Sequence, residues 1–184
     1  MKLLLHICCA PCATGVIKKL NTDGNVNCTG LYYNPNIHPV AENQNRCNSV
    51  ISLSKDEGFE VIYNNTLMLD YWKEKLDGEK LKRCGICYAY RIDKTAQTAK
   101  ERGFEAFTTT LLVSPWQDHD RIIKIAESAS KKYNIPFLYQ DFRPYYREGK
   151  NDAYKRGYYL QKYCGCIFSY NESDHKKKPF YTFE

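Results

Sequence analysis

No stretch of the 184-residue chain approaches the roughly 20 consecutive apolar residues that a membrane-spanning helix requires. Neither a GxxxxGK[ST] phosphate loop nor a GxGxxG fingerprint is present, so nucleotide binding loses its usual signature. Internal repeats, low-complexity tracts and linkers are missing too, which favours a single domain. Lys2-Leu3-Leu4-Leu5 imitates the start of a signal peptide. However, His6 breaks the apolar run, no small-residue cleavage site follows, and Ile7 before Cys8 is unlike a lipoprotein cleavage box. The expected compartment is the reducing cytoplasm, with no membrane attachment.

What the chain does have is cysteine, nine in all. Seven fall in three tight groups: Cys8-Cys9-Ala10-Pro11-Cys12, Cys84-Gly85-Ile86-Cys87 and Cys164-Gly165-Cys166. A disulfide framework would suit a small exported domain with too little core. A chain of this length with 43% hydrophobic residues needs no such staples. In a reducing compartment, clustered thiols more often hold metal or do redox work. Cys28, at a strand start, and Cys47, on an apolar helix face, read instead as buried packing residues.

Strand and helix patterns alternate. Lys2–Ile7, Asn27–Tyr33, Phe59–Tyr63, Ala106–Leu112 and Pro136–Gln140 are apolar runs rich in β-branched or aromatic residues and read as strands. Helical periodicity runs through Glu42–Glu57, closed by Gly58, through Cys84–Arg102, closed by Gly103, and through Asp118–Lys132. This predicts a single α/β domain over residues 1–184, with an open, mostly parallel five-stranded sheet and helices on both faces. A basic, tyrosine-rich appendage is expected from about residue 143. In such sheets ligands bind at the carboxyl ends of the strands, and the first cysteine group directly follows strand one.

A lone Cys-x-x-Cys is shared by zinc sites, thioredoxin-like motifs and iron–sulfur proteins. Read as a helix start, the second group would gain thiolate character from the helix dipole. Cys8, Cys9, Cys84 and Cys87 together supply four thiolates, the usual complement of a [4Fe–4S] cluster. Cys164-Gly165-Cys166 is too tight for a relaxed bridge, so it reads either as a strained, readily reduced disulfide or as a pair of ligands for another ion. Cys12 is the spare thiol that would complete such a site. Structural zinc is the alternative reading of all these groups.

Five blocks of the chain resemble the signature blocks of the cobalamin-independent epoxyqueuosine reductase family, QueH. They are His6-Ile7-Cys8-Cys9-Ala10-Pro11-Cys12, Tyr33 to Pro39 (YNPNIHP), Arg83 to Arg91 (RCGICYAYR), Phe107 to Leu111 (FTTTL) with Ser114-Pro115, and Tyr163-Cys164-Gly165-Cys166. They keep the family's order across nearly the whole chain. The resemblance implies a Rossmann-like (HUP-type) fold, a [4Fe–4S] cluster with a neighbouring iron, and reduction of epoxyqueuosine to queuosine in tRNA. Two positions depart from the pattern: Asn43 replaces an expected aromatic, and Cys12 stands where some members carry Asp.

That chemistry needs two electrons and two protons, and the oxygen leaves as water. Cys12, Cys164 and Cys166 are the residues expected to carry it. They would act either by holding the adjacent iron or, for Cys164 and Cys166, by cycling between dithiol and disulfide. A low-potential electron donor is implied. The proton-donor candidates are His6, His38, His119, Asp118 and tyrosines, with His6 read as a hydrogen-bonded strut.

On the substrate side the net charge is +6. Arg143, Arg147, Lys150, Lys155, Arg156 and Lys162 interleave with Tyr145, Tyr146, Tyr154, Tyr158, Tyr159 and Tyr163, against two acids, Glu148 and Asp152. Such a mixture can neutralise phosphates and stack on unpaired bases, although a solvated face gives the same pattern. Asn34, Asn36, His38, Arg91 and Tyr163 are the candidate substrate contacts, and Thr108, Thr109 and Thr110 offer hydroxyls from strand four. Lys176-Lys177-Lys178 reads as a tail attractive to polyanions. Three functions fit the residues: an iron–sulfur reductase acting on tRNA, a zinc-stabilised RNA-binding module without redox activity, and a general thiol oxidoreductase.

Overall fold

The structure, a computed structural model, describes residues 1–75 and 80–173. Its sheet grows from the Leu3-Leu4-Leu5 run. These side chains are wholly buried in strand β1 (Lys2–Ile7), the central position of the sheet. Burial of each leucine stabilises by about 1.5–3 kcal/mol, so the segment that imitates a signal peptide is the middle of the core. β2 (Asn27–Tyr33) and β4 (Ala106–Thr109) flank β1, and β3 (Val61–Asn64) pairs with β2. The order is β3-β2-β1-β4 and every pairing is parallel.

The sheet therefore has four strands rather than five. Pro136–Gln140 contributes a single parallel bridge, Phe107 to Phe137. It is held by Phe107 N–H to the Pro136 carbonyl at 3.0 Å and by Leu138 N–H to the Phe107 carbonyl at 2.9 Å. β4 also ends earlier than expected. The Thr109 hydroxyl accepts from Leu111 N–H and turns Thr110–Val113 into a 3-10 helix, a side-chain bond that competes with the ladder.

Helices α1 (Ala10–Thr22) and α2 (Val40–Glu57) connect β1 to β2 and β2 to β3, and they pack together. α3 (Leu69–Lys75) and α4 (Lys80–Glu101) lead to β4, and α4 packs against the sheet and α5 (His119–Tyr133). Since the chain returns from β3 to the far side of β1, right-handed crossovers put α1 and α2 on one face and α4 on the other. Strand order thus reverses between β1 and β4, and the crevice at their carboxyl ends is the favoured place for a site.

After residue 143 the chain packs back on the sheet domain. α6 (Tyr146–Lys155) lies against α1, Phe142 and Ala153 are wholly buried, and α7 (Ile167–Glu172) contacts α3. Lys176-Lys177-Lys178 lies outside the described residues.

The α1–α6 crossing depends on two glycines. A Cβ at Gly149 would sit 2.6 Å from the Gly15 amide nitrogen, and one at Gly15 would sit 2.5 Å from the Tyr145 carbonyl oxygen. Both obstacles are backbone, so neither can rotate away. Gly149→Ala should destabilise the fold by roughly 1–3 kcal/mol, the usual cost of overpacking, as read by urea unfolding. An unchanged midpoint would show that the helices can part freely.

Candidate active site

The first three thiols converge at the strand-order switch. Cys8 and Cys9 leave β1, and the Thr110 hydroxyl at the end of β4 accepts from Cys8 N–H at 3.1 Å and lies 3.3 Å from Cys8 Sγ. Cys9 precedes α1, whose first turn contains Pro11 and brings Cys12 back over the pair. The Sγ atoms of Cys8, Cys9 and Cys12 all lie within 4.8 Å of one another, and all three residues are buried. Hydrogen bonds from the Cys12 and Cys9 thiols push the Cys8 thiol well below its ordinary value. The Cys12 thiol is pushed up by its bond to Cys8, and the Cys9 thiol is pushed up by burial. The nest thus favours one negative charge shared by three sulfurs. Gln161 adds an amide donor, its Nε2 3.0 Å from Cys9 Sγ and 3.8 Å from Cys12 Sγ.

The other four thiols surround an adjoining space. Cys8, Cys12 and Cys164 line one cavity of about 300 Å³, and Cys84, Cys87, Cys164 and Cys166 line a second of about 370 Å³. Cys164 and Arg91 belong to both. Because α4 begins at Lys80, Cys84 is its fifth residue and Cys87 lies deeper still. The expected help from the helix start is accordingly small, since the dipole's effect fades beyond the first turn. Burial pushes the Cys87 thiol up to about 12, while the adjacent Arg91 charge works to lower it.

Arg91 is the electrostatic centre of this arrangement. It is 4% exposed, its Nη2 lies 2.9 Å from Cys87 Sγ, and its Nε donates to the Cys87 carbonyl at 3.2 Å. It forms no ion pair with a carboxylate among the described residues. Burial works against its charge, and Cys87, Cys8 and Cys164 more than offset this, favouring the charged form. A buried guanidinium needs a compensating anion. Among the described residues the groups that most favour its charge are sulfurs, so the donor set fits a thiolate-ligated group of net negative charge, as an iron–sulfur cluster is.

A second buried cation fixes the last thiol pair. Arg46 on α2, 2% exposed, pairs with Glu42 at 2.7 Å and donates to the Tyr163 and Cys164 carbonyls at 3.0 and 3.1 Å. Its guanidinium lies directly beneath Gly165, whose φ of +119° suits only glycine. From the other side, His38 N–H donates to the Gly165 carbonyl at 2.8 Å and the Tyr163 hydroxyl to the His38 carbonyl at 2.6 Å. All nine cysteines are free thiols.

Several expected contacts take different places. Arg91 and Tyr163 line both cavities, but Asn34, Asn36 and His38 line neither. Asn34 instead donates to the Ile7 carbonyl at 2.9 Å, and His38 braces the Tyr163–Gly165 segment, so this loop stands behind the wall. Asn34 Oδ1, both side-chain atoms of Asn36 and His38 Nε2 are buried without protein partners. Asn43, the departure from the family pattern, serves this loop through Nδ2 to the Asn34 carbonyl at 3.2 Å. Thr109 and Thr110 spend their hydroxyls on His6 and Cys8. His119 bonds the Leu112 carbonyl, and Asp118 caps α5.

The basic, tyrosine-rich segment divides. Tyr158 bonds Asp56, Tyr159 bonds Glu42, Arg143 pairs with Asp141, and Arg156 pairs with Glu57 and Asp152. Tyr146, Lys150 and Lys162 face the first cavity. Composition gave no hint of Arg46, Trp116, Gln117 or Gln161, which also line it. Only the (i, i+4) spacing of Glu42 and Arg46 was a readable signal.

A parallel α/β domain on a Rossmann-like scaffold thus brings thiols together at its strand-order switch, and the buried Cys8, Cys9 and Cys12 form a group with the donors to hold a metal ion. Residues 3–172 match the family model described as Epoxyqueuosine reductase QueH. The chain is 37% identical over 172 residues to Epoxyqueuosine reductase QueH of Dehalococcoides mccartyi, covering 91% of this chain and 92% of that one. It is 34% identical over 183 residues to the protein of the same description from Thermotoga maritima, covering 95% and 93%. The chain belongs to the QueH family, whose members are oxidoreductases. Among solved structures, a deacetylase–teicoplanin complex superposes with a TM-score of 0.53 at 14% identity, covering 85% of this chain and 86% of that one, a likeness of fold alone. No helix among the described residues is long and apolar enough to cross a membrane.

His6 gives the site a pH signature. It is wholly buried between Thr109 Oγ1 at 2.8 Å and the Tyr33 carbonyl at 3.2 Å, and burial, reinforced by Arg91, lowers its pKa from 6.5 to about 4. The unfolded chain therefore takes up the proton first. The stability from neutral His6 is full above pH about 6.5 and is lost as pH falls toward about 4, in total roughly 3 kcal/mol. Urea unfolding of the reduced, metal-free chain at pH 7 and 4.5 should show this loss, and His6→Gln should flatten it. An unchanged slope in the variant would remove His6 from the account.

Proposed function

We propose that this chain reduces epoxyqueuosine to queuosine in the anticodon loop of tRNA. The observation that carries the reading is the gathering of three distant thiol segments around the buried Arg91, which has no carboxylate partner among the described residues. A [4Fe–4S] cluster would be held by Cys8, Cys9, Cys84 and Cys87, while Cys12, Cys164 and Cys166 would hold an adjacent iron, or Cys164 and Cys166 would stay free as a redox-active dithiol. When bound, these groups supply low-potential single electrons and a Lewis acid.

The chain's own residues account for the rest. Cys164, exposed at the junction of the two cavities, and Cys166, two residues on, form the dithiol nearest to entering substrate. With the pair free of metal, epoxide plus two thiols gives alkene, water and a disulfide. Two C–O bonds break, one S–S bond forms, and the thiol protons leave on the oxygen. A low-potential donor then restores the dithiol. Arg46 and His38 hold the backbone of this pair from either side, so its reach is fixed before substrate arrives. Arg91 faces both cavities and can hold negative charge as it develops on the departing oxygen. The Tyr163 proton is committed to the His38 carbonyl, so the dithiol is the better proton source.

Cys164→Ser and Cys166→Ser should each reduce conversion of epoxyqueuosine tRNA to background while tRNA affinity stays within about twofold, as followed by nucleoside chromatography and filter binding. Full turnover by either variant would refute the role of the pair.

A further inference from the structure

Trp116 is the most exposed large apolar side chain among the described residues, at 83%, yet it belongs to the walls of both cavities. A single exposed apolar side chain is ordinary, and what sets this indole apart is its place in the walls of both cavities of the thiol site. Its backbone is well anchored. Pro115 stiffens the turn, Trp116 N–H donates to Ser114 Oγ at 3.3 Å, and Gln117 N–H donates to the Ser114 carbonyl at 3.4 Å. The next side chain is fixed too, because Gln117 Oε1 accepts from the Tyr88 hydroxyl at 2.6 Å. The ring is therefore presented by a rigid turn. Lys162 shares both cavity walls with it and Lys150 faces the first. Neither lysine forms an ion pair among the described residues, although Arg143 and Arg156 in the same segment are paired.

A flat apolar face beside two uncompensated cations at the entrance of a narrow site matches one chemistry, an unpaired nucleotide whose base stacks while its phosphates are neutralised. We propose that Trp116 is the stacking platform for an unpaired base next to the one that enters the thiol site, with Lys150 and Lys162 taking the flanking phosphates. This deepens the tRNA reading and rests on it. The base inside the cavity must leave its stack, and Trp116 would replace the partner that its neighbour loses.

Fluorescence can report on this without turnover. The other tryptophan, Trp72, is 2% exposed but also lines the second cavity, so the part of the emission change that Trp116→Ala removes is the part that reports on Trp116. An RNA hairpin with a seven-nucleotide loop, titrated into the anaerobically prepared protein, should quench the emission, while a duplex of the same stem should not. Trp116→Ala should weaken hairpin binding by about 5- to 150-fold, the loss of one base–aromatic stack, with Trp116→Phe recovering most of it. In turnover the loss should fall on KM rather than kcat. Lys150→Gln and Lys162→Gln should each reduce the salt dependence of binding by about one phosphate. Hairpin binding without quenching, or with equal affinity in Trp116→Ala, overturns the platform while leaving the reductase intact. A wild-type protein that neither binds the hairpin nor converts epoxyqueuosine tRNA overturns both.

Discussion

The buried charge of Arg91 is the constraint on which the site depends. Among the described residues, the neighbours able to offset a guanidinium at this depth are the sulfurs of Cys87, Cys8 and Cys164. A buried charge without a partner is costly, so Arg91 favours ionisation of the thiols beside it and gains most when they are thiolates. The same logic applies to Arg46, which has Glu42 as its partner and uses its remaining donors on the carbonyls of Tyr163 and Cys164. One arginine lies among the thiols of Cys87, Cys8 and Cys164, and the other fixes the backbone of the Tyr163–Cys164 segment.

These interactions are possible because the sheet brings sequence-distant segments to one edge. β1 delivers Cys8 and Cys9, and β4 delivers Thr110 to support them. α4 carries Cys84, Cys87 and Arg91 along one helix, and the chain after α6 returns Cys164 and Cys166 across the opening. The glycine crossing of α1 and α6 links the last stage to the first, since it seats the segment leading to Gln161 against the helix that carries Cys12. The core thus sets the positions of seven sulfurs that no local sequence relation could place together.

Much of this was readable beforehand, for physical reasons. Lys2–Ile7 and Asn27–Tyr33 are strands to the residue, because buried parallel strands read as continuous apolar runs. The three cysteine groups declared themselves by spacing, and the family pattern placed them in one site. The fifth strand was misread because an apolar run of that length also suits a lone bridge, which is set by long-range pairing with Phe107. Asn34, Asn36 and His38 lie behind the cavities, since a turn-rich loop at the right edge looks alike whether it faces substrate or braces a neighbour. Gln117 and Gln161 were silent, and Arg46 showed only its spacing from Glu42, because their roles at the site arise from residues about 50 to 150 positions away.

The most direct test is iron and acid-labile sulfide analysis of the protein after anaerobic reconstitution, with EPR spectra before and after dithionite. About four or more irons per chain, with a reducible cluster signal, is the expected result. In Arg91→Met, whose buried compensating charge is gone, the cluster content or potential should change. A colourless protein that takes up a single zinc and shows no reducible signal would contradict the account and leave a zinc-stabilised RNA-binding module in its place.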